Sequence, residues 1–206
     1  MYKIDFNNPI HIHFIGIGGI SMSGLAKILL SEGFTVSGSD SHTSALNDEL
    51  IGDGCLVSVP QSAGNITNDI DLVVYTAAIH PDNPEFKAAK EAGLPMLTRA
   101  ELLGQIMTIY KNAINIAGTH GKTTTTSMVS EILLAANMDP TISVGGILNS
   151  IVGNTRVGGN KYFVAEACEY TNSFLSFNPT MNIFSMSVLM IRVPSDGSFS
   201  VKSLKE

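Results

Sequence analysis

His11-Ile12-His13-Phe14-Ile15-Gly16-Ile17-Gly18-Gly19-Ile20-Ser21-Met22-Ser23-Gly24 is the stretch that decides the fold. Its first five residues form a short, largely apolar run, the pattern of a strand buried in a sheet. A glycine turn follows. Met22, Leu25, Ile28 and Leu29 then recur at helical spacing, and Glu32-Gly33 closes that helix. Phe34 to Ser39 reads as a second strand with Asp40 at its tip. Strand, glycine turn, helix and strand together make a βαβ unit.

The glycines in this turn have separate uses. Gly16 and Gly18 let the backbone turn tightly and come close to an anion, and Gly19 and Gly24 add room nearby. Asp40 stands where an acidic residue would meet a ribose hydroxyl. The third position of the dinucleotide fingerprint is Ser21 rather than glycine. A diphosphate on any nucleotide satisfies this geometry, so the motif defines a nucleotide-diphosphate site better than it defines NAD. A helix-strand packing turn with no ligand is the competing reading.

Working outward, Asp71 to Thr76 is a strand, and a loop containing Ala78, Ile79 and His80 follows it. Glu85 to Ala92 is helical and Pro95-Met96-Leu97 is a short strand. Thr98 and Glu101 form a capping box for a helix whose buried face is Leu102, Leu103, Ile106, Met107 and Tyr110. In an open parallel sheet ligands sit beyond the carboxyl ends of the strands. Gly16, Gly18, Gly19, Asp40 and Thr76 all fall on that edge, whereas His80 reads as a solvated loop residue. The polar pair Lys111-Asn112 marks a boundary after residue 111.

A second signal follows the boundary. The run Ala113-Ile114-Asn115-Ile116-Ala117 leads into Gly118-Thr119-His120-Gly121-Lys122-Thr123-Thr124, and Met128, Val129, Ile132, Leu133 and Ala136 then recur at helical spacing. A strand, a glycine turn and a helix opening with Lys-Thr hold nucleotide phosphates through converging backbone N–H groups and the helix dipole. Lys122 can neutralise the outer phosphates, and Thr123 can ligate Mg²⁺. The strict P-loop pattern wants glycine where Ile116 stands. A glycine turn at a helix start with a surface lysine is the alternative.

Composition sets limits. The 206 residues are 44% hydrophobic and 15% charged, and nineteen glycines accompany the apolar runs. That is a folded α/β chain rather than a disordered one. A net charge of −6 argues against a nucleic-acid or acidic-membrane surface. Cys55 and Cys168 are far apart and have no metal or redox spacing, so the reducing cytoplasm is the simplest location and each reads as a small core residue. No secretory leader and no run of membrane-spanning length is expected. The five histidines show no metal-ligand spacing, and His11 and His13 alternate along the first strand.

Two nucleotide loops in series resemble the Mur ligase family. Gly16 to Gly24, Ser37-Gly38-Ser39-Asp40 and Gly118 to Thr125 carry the resemblance, as do Val144-Gly145-Gly146 and Phe163-Val164-Ala165-Glu166-Ala167. It covers roughly residues 8 to 183. It implies an α/β chain with a Rossmann-like parallel-sheet N-terminal domain (1–111) and an incomplete P-loop-type α/β domain (112–183). It also implies an amide ligase that uses ATP and Mg²⁺ to join L-alanine to UDP-N-acetylmuramate. The γ-phosphate goes to the lactyl carboxylate, and the alanine amine then displaces phosphate.

In the resemblance the first loop binds UDP rather than NAD, and Gly118, Thr119, His120, Gly121, Lys122, Thr123 and Thr124 bind ATP. Lys122 would stabilise the transferring phosphoryl group, and Thr123 and Glu166 would hold Mg²⁺. Glu166 by position alone reads equally as a strand-end surface carboxylate, and His120 as a turn residue; the family would have it line the muramoyl site. Where the family pattern runs on to an Asp-His pair after residue 183, this chain has Phe184-Ser185-Met186-Ser187. Residues 184–206 therefore read as a divergent, poorly ordered tail, and the chain as a shortened ligase with negligible turnover. Retained binding without catalysis is the other reading.

Overall fold

A computed structural model describes residues 2–118, 120–151, 153–166 and 179–184. Two five-stranded sheets carry the architecture. In the first, β1 (His11–Ile15), β2 (Thr35–Ser39), β3 (Leu56–Ser58), β4 (Leu72–Tyr75) and β5 (Met96–Thr98) lie in the order β3-β2-β1-β4-β5, all parallel. Chain order reverses at β1, which pairs with β2 on one side and β4 on the other. That reversal opens a crevice at the carboxyl edge of the sheet. Helices α1 (Ile20–Ser31), α2 (Ala45–Gly52) and α3 (Pro84–Glu91) connect β1 to β2, β2 to β3 and β4 to β5, a 3₁₀ turn (Ala63–Asn65) lies between β3 and β4, and α4 (Arg99–Met107) follows β5.

The local signals explain these elements. Ile12, Phe14, Leu72, Val73 and Val74 are fully buried, as strands covered on both faces require. Met22, Leu25, Ile28 and Leu29 form the buried face of α1, and Gly33 ends the helix at φ +86°. The capping box on α4 is complete: Thr98 accepts the Glu101 N–H, and Glu101 accepts the Thr98 N–H at 2.7 Å. All five expected core residues after it, Leu102 to Tyr110, are buried. Cys55 is buried too, which pushes its thiol up to about 12.

The second sheet has the order β10-β6-β9-β7-β8. β6 (Asn112–Ala117), β9 (Tyr162–Glu166), β10 (Met181–Phe184) and β7 (Thr141–Leu148) are parallel, and β8 (Gly153–Arg156) returns antiparallel to β7. α5 (Lys122–Ala135) follows β6. Two sequence expectations change here. Met128 and Ile132 do not face the core; they are 61% and 65% exposed, and Ala136 is exposed as well. Thr126 and Ser130 are buried in their place, with Val129 and Leu133 packed on Ile114, Ile116 and Val164. Small side chains let the helix lie close to the sheet, and the Thr126 hydroxyl satisfies itself on the Lys122 carbonyl at 2.8 Å. The second change is Phe184, assigned to the tail by sequence: it closes β10 and pairs with Ala117 of β6. The remaining tail residues, Thr119, Ala167 and Cys168 lie outside the described residues.

The sheets share one core. Tyr110 stacks on Phe163 of β9 with ring centroids 4.9 Å apart, and Ala113, Phe163 and Ala165 join the same apolar cluster as α1 and α4. α1 also touches β8, where the Asn154 side chain donates to the Ile20 carbonyl at 2.7 Å. Phe163→Ala is expected to cost about 3–5 kcal/mol. Because the ring belongs to both halves, urea unfolding followed by circular dichroism should remain a single transition at a lower midpoint. A first-sheet transition left in place would contradict a shared core.

Candidate functional site

The first candidate site grows from the β1–α1 turn. Gly16 takes φ +84°, and its N–H and that of Ile17 both donate to the Ser39 carbonyl, at 2.8 and 2.9 Å. This ties the turn to the end of β2. Gly19, which lines the crevice, caps α1 with no side-chain hydrogen bond, so the positive end of the helix has no side-chain capping acceptor. Asp40 takes part in the loop itself. One carboxylate oxygen accepts the Gly18 N–H at 2.9 Å and the other the Ser41 N–H at 2.7 Å.

A Cβ at position 18 would stand 2.4 Å from Asn47 Oδ1 and 2.8 Å from Asp40 Oδ2. Any larger residue there would have to push these two side-chain ends aside. The crevice is a cleft of about 490 Å³ lined by Gly16, Gly19, Asp40 and Thr76. Gly18, expected at this site, is not among the lining residues, and its N–H is taken by Asp40. The structure adds Ser41, Gln61, Ile79, His80 and Asn83 to its walls. His80 is the exposed loop residue its sequence context suggested, 3.1 Å from Asp82, yet it also borders the cleft. Gln61 and Asn83 escaped the sequence reading. Asn83 was detectable as the N-cap before Pro84: its Oδ1 accepts the N–H groups of Glu85 and Phe86. Its Nδ2 donates to Gln61 Oε1 at 2.7 Å. Arg99 donates to Ser21 Oγ at 2.9 Å, which sets a guanidinium beside the first turn of α1.

The second candidate site is the β6–α5 turn. Gly118 has φ +142°, and Gly121 caps α5 in the left-handed conformation at φ +76°, again with no side-chain cap. The Lys122 ammonium folds back onto the Gly118 carbonyl. The Thr123 hydroxyl donates to Glu166 Oε2 at 3.2 Å, and the Gly145 N–H donates to Glu166 Oε1 at 2.9 Å. A Cβ on Gly145 would come within 2.8 Å of that carboxylate. The Val144-Gly145-Gly146 stretch therefore packs against the carboxylate that faces the turn. His120 and Thr124 flank the turn, with Thr124 exposed. Among the described residues no group of three or more His, Cys, Asp or Glu side chains could hold a metal. Thr123 and Glu166 together offer oxygen donors, the kind a hard divalent cation takes.

Known proteins resemble this chain in sequence and fold. The model of the Mur ligase family, catalytic domain, matches residues 11–111. The UDP-N-acetylmuramate–L-alanine ligase of Lachnospira eligens is 95% identical over 183 residues. The chain belongs to the Mur ligase family. The match spans 89% of this chain, and the chain covers 40% of that relative's length. Among solved structures, the UDP-N-acetylmuramate–alanine ligase of Thermotoga maritima superposes with a TM-score of 0.78 at 36% identity, covering 85% of this chain and 41% of that one. A murein peptide ligase from Psychrobacter arcticus gives 0.77 at 28%, covering 85% and 42%. No helix of the described residues is long and apolar enough to cross a membrane.

The Gly18 contacts yield a direct test. Gly18→Ala is expected to cost about 1–3 kcal/mol, the usual penalty for forcing atoms into filled space. Thermal unfolding followed by circular dichroism would register it. An unchanged midpoint would mean that Asp40 and Asn47 do not press on the turn.

Proposed function

We propose that these residues are the sugar-nucleotide- and ATP-binding part of an ATP-dependent amide ligase that joins L-alanine to UDP-N-acetylmuramate in the cytoplasm. Residues 1–111 take the UDP moiety in the cleft at the β1–β4 crevice, through Gly16, Gly18, Gly19, Asp40 and Thr76. Residues 112–183 take ATP at the start of α5, and Thr119 belongs to that loop by sequence. The observation that carries the reading is the meeting of the Thr123 hydroxyl and the Glu166 carboxylate at 3.2 Å, with Gly145 fixing the other carboxylate oxygen.

The chain's own groups suit the chemistry. Phosphoryl transfer needs placement and charge neutralisation more than a reactive side chain. The αL cap at Gly121 points first-turn amides outward, where a phosphate can accept them. Lys122 exchanges its hold on the Gly118 carbonyl for a phosphate oxygen and neutralises charge there. Thr123 and Glu166 would hold Mg²⁺, which would supply Lewis-acid polarisation of the transferred phosphate. The lactyl carboxylate accepts the γ-phosphate, and the alanine amine then displaces phosphate to leave the amide. L-Alanine as the amine is supported by the higher identity to the alanine ligase than to the murein peptide ligase. The chain covers 40% of its relative, so the complete reaction is proposed for a protein of that length.

Two titrations by calorimetry test this. The chain is expected to bind both ATP with Mg²⁺ and UDP-N-acetylmuramate. Lys122→Ala should weaken ATP binding by about tenfold or more, the worth of a charge-assisted contact, and leave sugar-nucleotide affinity unchanged. Equal loss at both sites, or no ATP binding by the unsubstituted chain, would defeat the reading. With alanine added, the 206-residue chain should release ADP far more slowly than a full-length relative assayed beside it.

A further inference from the structure

Behind the cleft wall lies a charge that the proposed reaction does not use. Glu85, in the first turn of α3, is fully buried. Removing a carboxylate from water costs several kcal/mol unless donors replace the water. Donors surround it. The Ser39 hydroxyl donates to Oε2, the Ser62 N–H donates to Oε1 at 3.2 Å, and the Asn65 amide donates to Oε1 at 2.6 Å. His13 Nε2, itself buried, stands 3.7 Å from Oε2. The start of α3 adds its partial positive charge. Burial alone would push this carboxyl up; the contacts from His13, Ser39, Asn65 and Ser62 outweigh it and hold Glu85 below the usual carboxylate range.

The donors come from different parts of the chain, and two of them, like Glu85 itself, stand within two residues of a cleft residue. Ser39 precedes Asp40, and Ser62 follows Gln61. Glu85 sits two residues after Asn83, whose side chain reaches across to Gln61. Asp40, Gln61 and Asn83 all line the cleft. An apolar residue would fill the same space at no desolvation cost, and such replacements are often neutral or stabilising. An apolar side chain would not fix three loops relative to one another.

We propose that Glu85 is a positioning residue for the nucleotide cleft: its carboxylate clamps the end of β2, the 61–65 turn and the start of α3, and so sets the spacing of Asp40, Gln61 and Asn83. The ligand class, a uridine diphosphate, rests on the reading in the preceding subsection. Glu85 touches no ligand. It acts through Ser39, Ser62 and Asn65.

The test is a set of ¹⁵N–¹H correlation spectra and UDP titrations on the 206-residue chain, unsubstituted and as Glu85→Gln and Asn65→Ala. Gln keeps the shape but turns N–H groups toward groups that already donate. In ligand-free Glu85→Gln, the side-chain amide signals of Gln61 and Asn83 should move while the backbone signals of Lys122 to Thr126 stay in place. A general loss of structure would move both sets. The UDP dissociation constant should rise about tenfold, the usual scale for a mismatched buried hydrogen-bonding group. Asn65→Ala, which lies outside the cleft and removes one donor, should raise it about threefold. If Glu85→Gln does not fold, Asn65→Ala decides the matter. Unmoved Gln61 and Asn83 signals with unchanged UDP affinity in a folded variant overturn the proposal. Absence of UDP binding by the unsubstituted chain would overturn the ligand reading instead, and the amide signals alone would then judge the clamp.

Discussion

Parallel strands deliver their outgoing ends to one edge of a sheet, and both phosphate-type turns of this chain depend on that rule. β1 can hand the chain to α1 through Gly16 only because β2, its parallel neighbour, ends level with it and offers the Ser39 carbonyl. The same carbonyl takes two N–H groups, so the turn is closed before any ligand arrives. In the second sheet the parallel pairing of β6 and β9 brings Glu166 to the level of the turn after β6, where Thr123 meets it. Residues 43 positions apart in sequence meet because two neighbouring strands run the same way.

What could be read from sequence follows from how local its causes are. The β1–α1–β2 unit, the capping box of Thr98 and Glu101, and the buried face of α4 depend on neighbours within a turn of helix or a strand pair, and all are present. On α5 only part of the apolar spacing marks the sheet-facing side: Val129 and Leu133 pack on the sheet, whereas Met128, Ile132 and Ala136 face away from it. Close packing there favours Thr126 and Ser130, a choice that hydrophobicity does not encode. Gln61 lies in an irregular segment with no period of its own. Its place in the cleft is set by the Asn83 side chain, 22 residues on. The carboxylate of Glu166 was expected at the second turn through family resemblance, but the Gly145 amide that orients it was not, because that contact spans 21 positions and leaves no local mark.

The two halves are joined by more than the peptide link at Lys111. Tyr110 and Phe163 stack across the joint, and Ala113 and Ala165 extend the first core into the second sheet. A chain read as two domains from its polar hinge thus has an apolar seam beneath that hinge. The seam is absent from any single segment, since Tyr110 and Phe163 are brought together by β9 pairing with β6.

At the far side of this seam, Gly24 of α1 lies against Thr155 of β8, so close that a methyl group on Gly24 would fall 2.3 Å from the threonine hydroxyl. Position 24 is a shim of minimum thickness. The gap between the helix that starts at the first turn and the hairpin beside the second is set by hydrogen atoms alone. An alanine there would have to turn the Thr155 hydroxyl aside, while the Thr155 Cβ and Cγ2 would remain 3.4 Å away. A single missing side chain thereby lets the backbone of α1 meet the side chain of Thr155 without an intervening group.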